Sequence, residues 1–368
     1  MQRILNHNQL MNHGNLQARN FCLDILEHGL NAADPYRNTR QLIRLENNTL
    51  IFEGPDFEAA GDPRSGAARY PLTEDVRVFL FAVGKGIQSS AKAVEDVLGE
   101  RLTGGYVIAK HGDPVIMERV EVMLGGHPVP DQCCIDGCKN MLQIISEARL
   151  TPSDLVITII GNGVSSLMTL PSNNLPLEDI VRCVELLQIE HGVPTSELNH
   201  IRNNIDQLKG GRITRLLQPA RMVHLLAVSP SVNNNDKKKG YEALIHNNFW
   251  LHTLPDQTSA SHALDYLRAR GINGQIPDSI MDALTGNAAD SQGISPEEFQ
   301  AADCRVFALM PECRDAASAA LARAGELGLT PYLLTRKTQC EAGAVGRFIA
   351  QIALHAFEDH SPFHPPCA

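Results

Sequence analysis

Apolar runs and helical patterns alternate along most of the chain. Five short segments are almost continuously apolar: 75–84, 104–110, 119–126, 154–161 and 220–229. Such runs are typical of strands that are buried on both faces of a parallel sheet. Between the first two runs, Ala91, Val94 and Leu98 fall on one face of a helix predicted over 89–102. The alternation predicts an α/β fold in which helices cover both faces of a parallel sheet.

The pattern changes after the last of these runs. Residues 230–303 are polar, rich in turns and interspersed with short helices. A β-α-β-α run then follows, with elements predicted at 304–309, 314–328, 330–335 and 341–358. We therefore expect one domain over 1–300 and a short C-terminal α/β segment over 301–368.

The composition is that of a soluble globular protein. The 368 residues are 43% apolar and 20% charged, and the net charge of -10 gives a pI near 5.8. This acidic balance argues against a general surface for nucleic acid or anionic membranes. The chain shows neither a secretory signal nor an apolar run of about 20 residues. We expect a cytoplasmic protein without a nucleic-acid or membrane partner.

Nine cysteines occur, and three of them lie close together: Cys133, Cys134 and Cys138. Zinc sites prefer paired C-x-x-C spacing with a second pair of ligands elsewhere, and the sequence shows no matching pair. The pattern favours buried free thiols in a reducing compartment. The sequence therefore leaves any metal ligands unknown.

Two turns that follow predicted strands carry side chains of candidate chemistry, at the strand ends where parallel sheets bind ligands. Lys85, in AVGKG, is either an ammonium group that binds an anion above the sheet or a surface lysine. His127, in GGHPVPD, is either a general base or a structural histidine that hydrogen-bonds its own loop.

A third turn follows the apolar run 154–161. Asn162 lies between glycines, which permit positive φ angles, so backbone N–H groups can converge there on an anion. Ser165 and Ser166 follow where a helix is predicted to begin, which would add a partial positive charge. A tight corner that only packs a helix against a strand would give the same pattern.

The stretch LNHIRNNIDQLKGGRITRL is rich in cations. If it is helical, Asn199 and Arg202 share one face, and Lys209 precedes the break at Gly210 and Gly211. Such a cluster binds multiply charged phosphate well. A solvated basic face is the alternative interpretation.

Taken together and in this order, the motifs resemble one known family. AVGKG, GHPVPD and NHIRNNIDQLKGGRI are similar to motifs of the glycerate 2-kinases, also called hydroxypyruvate reductase-like or MOFRL-type proteins. The similarity runs from about residue 16 to residue 229. It implies a Rossmann-like N-terminal domain and a cleft in which ATP, with Mg²⁺, phosphorylates a hydroxyl group of D-glycerate or a related sugar acid.

The resemblance also implies roles for individual residues. Three cations match the family's catalytic positions: Lys85, Arg202 and Lys209. The loop matched to nucleotide binding comprises Gly161, Asn162, Gly163, Ser165 and Ser166. The residues expected to contact the sugar acid are His127, Asn199, Gly210 and Gly211. Lysine, arginine and backbone N–H groups supply the positioning and charge neutralisation on which phosphoryl transfer depends.

The chain also departs from the family pattern. The family's loop S-G-G-G-S-A-L is here G-N-G-V-S-S-L, and its R-K-H is Arg202-Asn203-Asn204. An acidic group that could serve a metal is missing or displaced to Asp236, and the second-domain stretches G-G-E-T-T and G-G-R-N-Q-E do not occur. A working kinase would then obtain that domain from a homo-oligomer contact or from a second chain.

These departures leave two alternatives to a working kinase. The first is a catalytically impaired paralogue that keeps a binding or regulatory role. The second is an NAD(P)-dependent reductase that acts on hydroxypyruvate. It has the least support, because no G-x-G-x-x-G motif, which would bind the dinucleotide, follows a strand.

Overall fold

The computed structural model describes residues 2–172, 175–229, 240–286, 293–311, 315–336 and 340–368. The chain divides into two compact units, one formed by Met1–Asp34 with Met310–Ala368 and the other by Pro35–Leu309. This grouping differs from the predicted boundary between residues 300 and 301. The reason is that an N-terminal helix, Leu16–Ala32, packs along the helix Ala316–Glu326 and places both ends of the chain in one unit.

Nine strands in the described residues form two sheets of the larger unit. A small antiparallel sheet, which the sequence did not predict, comprises β1 (Ile43–Glu46), β2 (Thr49–Phe52) and β3 (Ala68–Pro71). The main sheet contains β4 (Val78–Val83), β5 (Leu102–Lys110), β6 (Glu121–Gly125), β7 (Leu155–Ile160), β8 (Arg221–Leu226) and β9 (Cys304–Ala308). Its order is β6-β5-β4-β7-β8-β9, and all neighbouring strands are parallel. The predicted parallel sheet is confirmed.

The α-helices follow the chain in this order: α1 (His7–Leu10), α2 (Leu16–Ala32), α3 (Pro35–Leu42), α4 (Gln88–Leu98), α5 (Gln132–Ala148), α6 (Val164–Leu167), α7 (Leu177–Val184), α8 (Thr195–Arg202), α9 (Arg212–Leu217), α10 (Gly240–His246), α11 (Ala260–Ala269), α12 (Asp278–Gly286), α13 (Pro296–Ala301), α14 (Ala316–Glu326) and α15 (Ala342–Asp359). Short 3-10 turns occur at Pro55–Phe57, Gly99–Arg101, Asn203–Ile205 and Asn273–Gln275. A π-helical turn, Glu185–Glu190, extends α7. None of the described helices has both the length and the apolar character that crossing a membrane requires.

Alternate residues of the central strands enter two separate cores, one on each face of the sheet. In β4, Phe79 and Phe81 belong to the core that α5 covers, whereas Val78 and Leu80 belong to the core that α4 covers. Burial of each such side chain contributes about 1.5–3 kcal/mol relative to exposure, so covering both faces stabilises the sheet. The prediction of helices on both faces is confirmed.

Four helices of the larger unit, α7, α8, α11 and α12, surround a third core. Leu186 of the π-helical turn and Leu198 of α8 are fully buried there, together with Leu267 and Ile280 from the other two helices. This packing fixes α8, which carries the predicted cations at its C-terminal end.

The smaller unit differs from the predicted β-α-β-α run. The segment 330–335 forms no strand, and only an isolated bridge joins Thr330 to Cys367. Backbone N–H groups of this segment donate instead to the C-terminal residues: that of Tyr332 donates to the carbonyl of Ala368 at 2.8 Å. Helix α15 leaves Phe348 and Phe357 largely exposed. The expected strand at 330–335 is therefore wrong, since this segment pairs with no strand in the part of the chain that the structure describes.

Candidate functional site

The turns after β4 and β7 are joined at the carboxyl edge of the main sheet. These strands are neighbours, and the N–H of Lys85 donates to the carbonyl of Asn162 at 2.8 Å. Gly161 is buried directly beneath this link, where its N–H donates to the carbonyl of Val83 at 3.1 Å. Gly163 has φ +86°, a left-handed conformation that favours glycine. Adjacent strand ends therefore bring two of the predicted turns into one place.

A cavity of about 420 Å³ lies above these turns. Its described lining residues come from five separate parts of the larger unit: Lys85, His127, Pro128, Asn162, Gly163, Ser165, Ser166, Gln188, Thr195, Arg202, Phe249 and Trp250. A volume of this order is typical of sites for small ligands. Seven of the twelve residues predicted to act at the site line this cavity: Lys85, His127, Asn162, Gly163, Ser165, Ser166 and Arg202.

The cavity is positively charged, and its two cations differ in their surroundings. The side chain of Lys85 is exposed, and it forms no ion pair with a described carboxylate. Arg202 is only 6% exposed, and its Nη2 donates to Oε1 of Gln188 at 3.0 Å. Burial lowers the pKa of Arg202 to about 10, which leaves the guanidinium charged at neutral pH. An arginine charge held this deep, with an amide as its side-chain partner, favours an anion in the cavity.

His127 contributes a partly buried imidazole to the same cavity. Burial lowers its pKa, and the positive charges of Lys85, Lys110 and Arg202 lower it further. The ring is therefore neutral at neutral pH and can accept a proton. Its Cδ2 would lie 2.9 Å from a Cβ atom at Gly163, so the imidazole rests directly on the glycine turn.

Ser165 faces the cavity, and a buried network holds its hydroxyl group. The oxygen lies 3.0 Å from Nε2 of His252 and accepts a 3.1 Å hydrogen bond from Nδ2 of Asn199. Asn199 also donates to the carbonyl of Phe249 at 3.1 Å, which ties the helix α8 to the loop that lines the cavity. The predicted substrate residue Asn199 thus lies behind Ser165, outside the described lining.

Lys209 does not line the cavity. Its ammonium group is buried, lies 2.5 Å from Oδ2 of Asp206 and donates to Oγ1 of Thr169 at 3.2 Å. Burial lowers the pKa of Lys209, although the Asp206 carboxylate opposes that shift. The surroundings of this lysine are those of a structural ion pair.

The two predicted glycines that follow Lys209 are also packed within the protein. A Cβ atom at Gly210 would lie 2.9 Å from Oδ2 of Asp256, and one at Gly211 would lie 2.1 Å from Cγ2 of Ile294. Gly211 is the N-cap of α9. Neither glycine is among the described residues that line the cavity.

Several N–H groups of the turn after β7 form hydrogen bonds within the turn itself. The N–H of Val164 donates to the carbonyl of Gly161, and the N–H groups of Ser166 and Leu167 donate to the carbonyl of Gly163. Helix α6 that follows has only four residues. The side chains of Asn162, Ser165 and Ser166 add polar groups to the part of this turn that lines the cavity.

Five of the lining residues were not found from the sequence: Pro128, Gln188, Thr195, Phe249 and Trp250. Trp250 is the single tryptophan of the chain and follows a phenylalanine in a polar loop, which is a signal that could have drawn attention to it. Gln188 lies in the π-helical turn, and such turns often occur at functional sites. Thr195 is the first residue of α8 and reaches the cavity through the placement of that helix, which the local sequence pattern does not indicate.

The described lining residues do not fit a protein site for Mg²⁺. Magnesium is usually held by one or two carboxylates together with substrate phosphates. None of the described residues of the lining is an aspartate or a glutamate, and the side-chain oxygens are those of hydroxyls and amides. Asp236, the acidic residue considered from the sequence, lies outside the described residues. We therefore assign no step to a metal ion held by the protein.

The fold and the site define an α/β protein with a cationic cavity at the carboxyl edge of a parallel sheet. The chain belongs to the family described as a domain of unknown function, DUF4147, which matches residues 21–237. The region matched includes all the described residues of the cavity except Phe249 and Trp250.

Named relatives indicate what this family contains. A glycerate 2-kinase of Pyrococcus horikoshii is 28% identical over 353 residues, which cover 95% of this chain and 72% of that protein. A D-glycerate 2-kinase of Thermotoga maritima is 28% identical over 315 residues, which cover 85% of this chain and 69% of that protein. A crystal structure of a protein from Pyrococcus horikoshii matches with a TM-score of 0.65 and 25% identity, over 95% of this chain and 73% of that chain. The resemblance to glycerate 2-kinases is confirmed.

Proposed function

We propose that the protein transfers the γ-phosphoryl group of ATP to a hydroxyl group of D-glycerate or a related small sugar acid. The observation that carries this proposal is the pair formed by Arg202 and Lys85, which line one cavity that has no described carboxylate. Both substrates are anions, and their charge complements these cations. The names of the relatives support glycerate as the acceptor.

The side chains that line the cavity would have different roles in binding and transfer. The buried guanidinium of Arg202 is fixed by Gln188 and suits a carboxylate or phosphate that must be held in one orientation. The exposed ammonium of Lys85 is free to follow the charge of the transferred phosphoryl group. The hydroxyl group of Ser165 can donate to an oxygen atom of a substrate when Nε2 of His252 is the donor between them, whereas the hydroxyl of Ser166 already donates to the carbonyl of Gly126 at 2.9 Å.

The transfer itself needs one proton acceptor. The hydroxyl oxygen of the sugar acid forms a bond to the γ-phosphorus, the bond from that phosphorus to the β-bridging oxygen breaks, and ADP leaves. The hydroxyl proton passes to the neutral imidazole of His127, which its low pKa keeps unprotonated in the resting state. Mg²⁺ would accompany the nucleotide through its phosphate oxygens.

The test is a kinase assay with the full chain. Formation of ADP from ATP and Mg²⁺ is followed with D-glycerate, L-glycerate and no acceptor, and phosphoglycerate is identified by ³¹P NMR. We expect ADP and phosphoglycerate to form together, with D-glycerate preferred. A folded chain that oxidises NADH or NADPH with hydroxypyruvate, but forms no ADP with any sugar acid, would establish the reductase instead.

We also propose that the active form is an assembly, made of copies of this chain or formed with a second chain. Helix α15 supports this proposal, because Phe348 and Phe357 are 67% and 75% exposed. Light scattering at several protein concentrations, alongside the kinase assay, tests it. A monomer that retains full activity at nanomolar concentration would contradict it.

A further inference from the structure

Three side chains of different chemistry meet near the surface of the larger unit, beside the turn that carries His127. They are the imidazole of His111, the carboxylate of Asp131 and the thiol of Cys133. Nε2 of His111 lies 2.6 Å from Oδ2 of Asp131, and one ligand atom from each of the three residues lies within 4.8 Å of the other two. Residues 111 and 133 are separated along the sequence, so the fold creates this cluster.

The sheet brings the first member into place. Strands β5 and β6 are neighbours and end in register, with Lys110 opposite Gly125. The chain continues this pairing by one residue, because the N–H of His111 donates to the carbonyl of Gly125 at 2.9 Å. His111 therefore stands next to the loop that leads from β6 to α5.

The start of helix α5 supplies the other two members. Asp131 is the N-cap, and its Oδ1 accepts a 3.1 Å hydrogen bond from the N–H of Cys134. Cys133 and Cys134 are adjacent on the helix and therefore point in different directions. Cys134 is buried in the core, whereas Cys133 is partly exposed and faces the cluster.

The carboxylate of Asp131 is held in one position by both of its oxygens. Its Oδ1 accepts a hydrogen bond from the N–H of Cys134, and its Oδ2 contacts Nε2 of His111. A carboxylate fixed in this way loses little further freedom when it binds a cation. His111, by contrast, has a side chain that is 53% exposed and can adjust its distance.

We propose that His111, Asp131 and Cys133 form a binding site for a divalent transition-metal ion of the zinc type. Imidazole, thiolate and carboxylate are the ligands that zinc accepts, whereas magnesium and calcium require oxygen ligands. Three protein ligands leave the fourth tetrahedral position to water or to an exogenous ligand.

The existing geometry lies close to what such an ion needs. Zinc bonds of about 2.0–2.1 Å to nitrogen and oxygen separate tetrahedral ligands by about 3.3 Å. The Nε2–Oδ2 distance must therefore lengthen by less than about 1 Å, and rotation of the exposed His111 side chain can supply this movement. Binding would replace the hydrogen bond between the two residues and release the protons of the ligands.

A bound ion would also affect the neighbouring cavity. The turn that presents His127 runs between Gly126 and Asp131, and Asp131 is a member of the cluster. An ion that fixes Asp131 would fix the C-terminal end of this turn. The metal site does not depend on the proposed kinase activity, because its ligands lie outside the described lining of the cavity.

The test uses the full chain after removal of metals with a chelator. Zinc binding is measured by calorimetry, and Co²⁺ serves as a spectroscopic probe because a thiolate ligand adds a near-ultraviolet charge-transfer band. We expect one ion per chain, a charge-transfer band with Co²⁺, and no competition from millimolar Mg²⁺. His111→Ala and Cys133→Ala should each weaken zinc binding at least tenfold, and Cys133→Ala should abolish the band.

Two controls make the result decisive. Cys340→Ala removes an exposed thiol of the smaller unit and should leave the binding and the band unchanged. Circular dichroism shows whether each variant is folded, and Asp131 is left intact because it caps α5. The proposal is overturned if the folded chain binds no zinc below millimolar concentration, or if zinc affinity is the same in both ligand variants.

Discussion

The hydroxyl oxygen of Ser165, which lines the cavity, lies 3.0 Å from Nε2 of His252, which is buried beneath it. Burial holds the pKa of His252 well below its usual range, and the charges of Lys209 and Arg202 lower it further. The imidazole is therefore neutral over the whole physiological range of pH. His252 lies in a loop, and the local sequence pattern gave no sign that it would be the partner of Ser165.

We predict that His252→Leu lowers the free energy of unfolding by about 1–3 kcal/mol, because the buried hydroxyl of Ser165 loses a partner. His252→Gln should be less damaging, since its amide can replace the lost hydrogen bond. Urea unfolding at neutral pH measures both values. Equal stability of the leucine variant and the native chain would show that the hydrogen bond contributes nothing.

Lys85→Ala is predicted to lower kcat/KM for the proposed reaction by about 10²–10³-fold, because the charge that neutralises the phosphoryl group is lost. Its free energy of unfolding should change by less than about 0.5 kcal/mol, since the side chain is exposed. Lys139→Ala is the matched control, because Lys139 is an exposed lysine of α5 outside the cavity. Native turnover in the Lys85 variant would remove this residue from the proposed mechanism.

Lys209→Met is predicted to lower the free energy of unfolding by about 3–5 kcal/mol, because it leaves the buried charge of Asp206 without its partner. Adding Asp206→Asn should restore part of the loss, since asparagine is neutral and keeps an acceptor for the N–H of Leu170. Chemical denaturation of the single and double variants gives the comparison. Native stability together with lost activity would instead place Lys209 in the catalytic machinery.

Gly211→Ala is predicted to destabilise the protein by about 2–5 kcal/mol. Gly211 has φ +78°, and a Cβ atom would lie 2.8 Å from the carbonyl oxygen of Leu254 and closer still to Ile294. Gly192→Ala is the control, because Gly192 also has positive φ, at +59°, but faces open space. It should cost only the backbone strain of about 1–2 kcal/mol. Equal losses in the two variants would mean that packing around Gly211 relaxes.

A fourth histidine, His224, should make stability depend on pH. Its Nδ1 lies 2.7 Å from Oγ1 of Thr158, its Nε2 has no hydrogen-bond partner among the described residues, and burial lowers its pKa to about 3. Between about pH 6.5 and pH 3 the unfolded chain binds a proton that the folded chain does not. Stability therefore falls as the pH falls through this window.

His224→Asn is predicted to reduce this dependence by about 1.4 kcal/mol per pH unit, the amount that one proton contributes. Asparagine can keep a hydrogen bond to Thr158 while it removes the titrating group. Unfolding free energies at pH 7, 6 and 5 measure the two slopes. Identical slopes would show that the pKa of His224 is the same in the folded and the unfolded chain.

The sequence predicted the main sheet because each central strand is buried on both faces and is therefore apolar throughout. It did not predict β1–β3, which are only four residues long, and β1 and β3 mix exposed with buried positions. The same limit applies to 330–335, where an apolar pattern occurs but the described residues offer no strand to pair with. Strands were predicted correctly where burial on both faces produces a continuous apolar run. Prediction failed where the presence of a strand depends on a neighbouring strand to pair with.

The site was predictable as far as it follows strand ends. Lys85 and Asn162 follow neighbouring parallel strands, so their meeting could be expected from topology. Lys85 and Lys209 are the same residue type in glycine-containing contexts, yet only Lys209 has an aspartate three residues earlier. That spacing, which places Asp206 beside Lys209, was a signal for an ion pair. Gln188 and Trp250 reach the cavity through tertiary packing, which single-sequence patterns do not contain.

Because the side chain of Arg202 is buried, binding of an anion in the cavity would affect the stability of the folded protein. Among the described residues, the buried guanidinium of Arg202 has the amide of Gln188 as its side-chain partner, so its charge raises the energy of the empty protein, and a bound anion would offset that cost in the folded form alone. Under the proposed function, the concentration of the anionic substrate would thus set the stability of the folded chain as well as its rate of turnover.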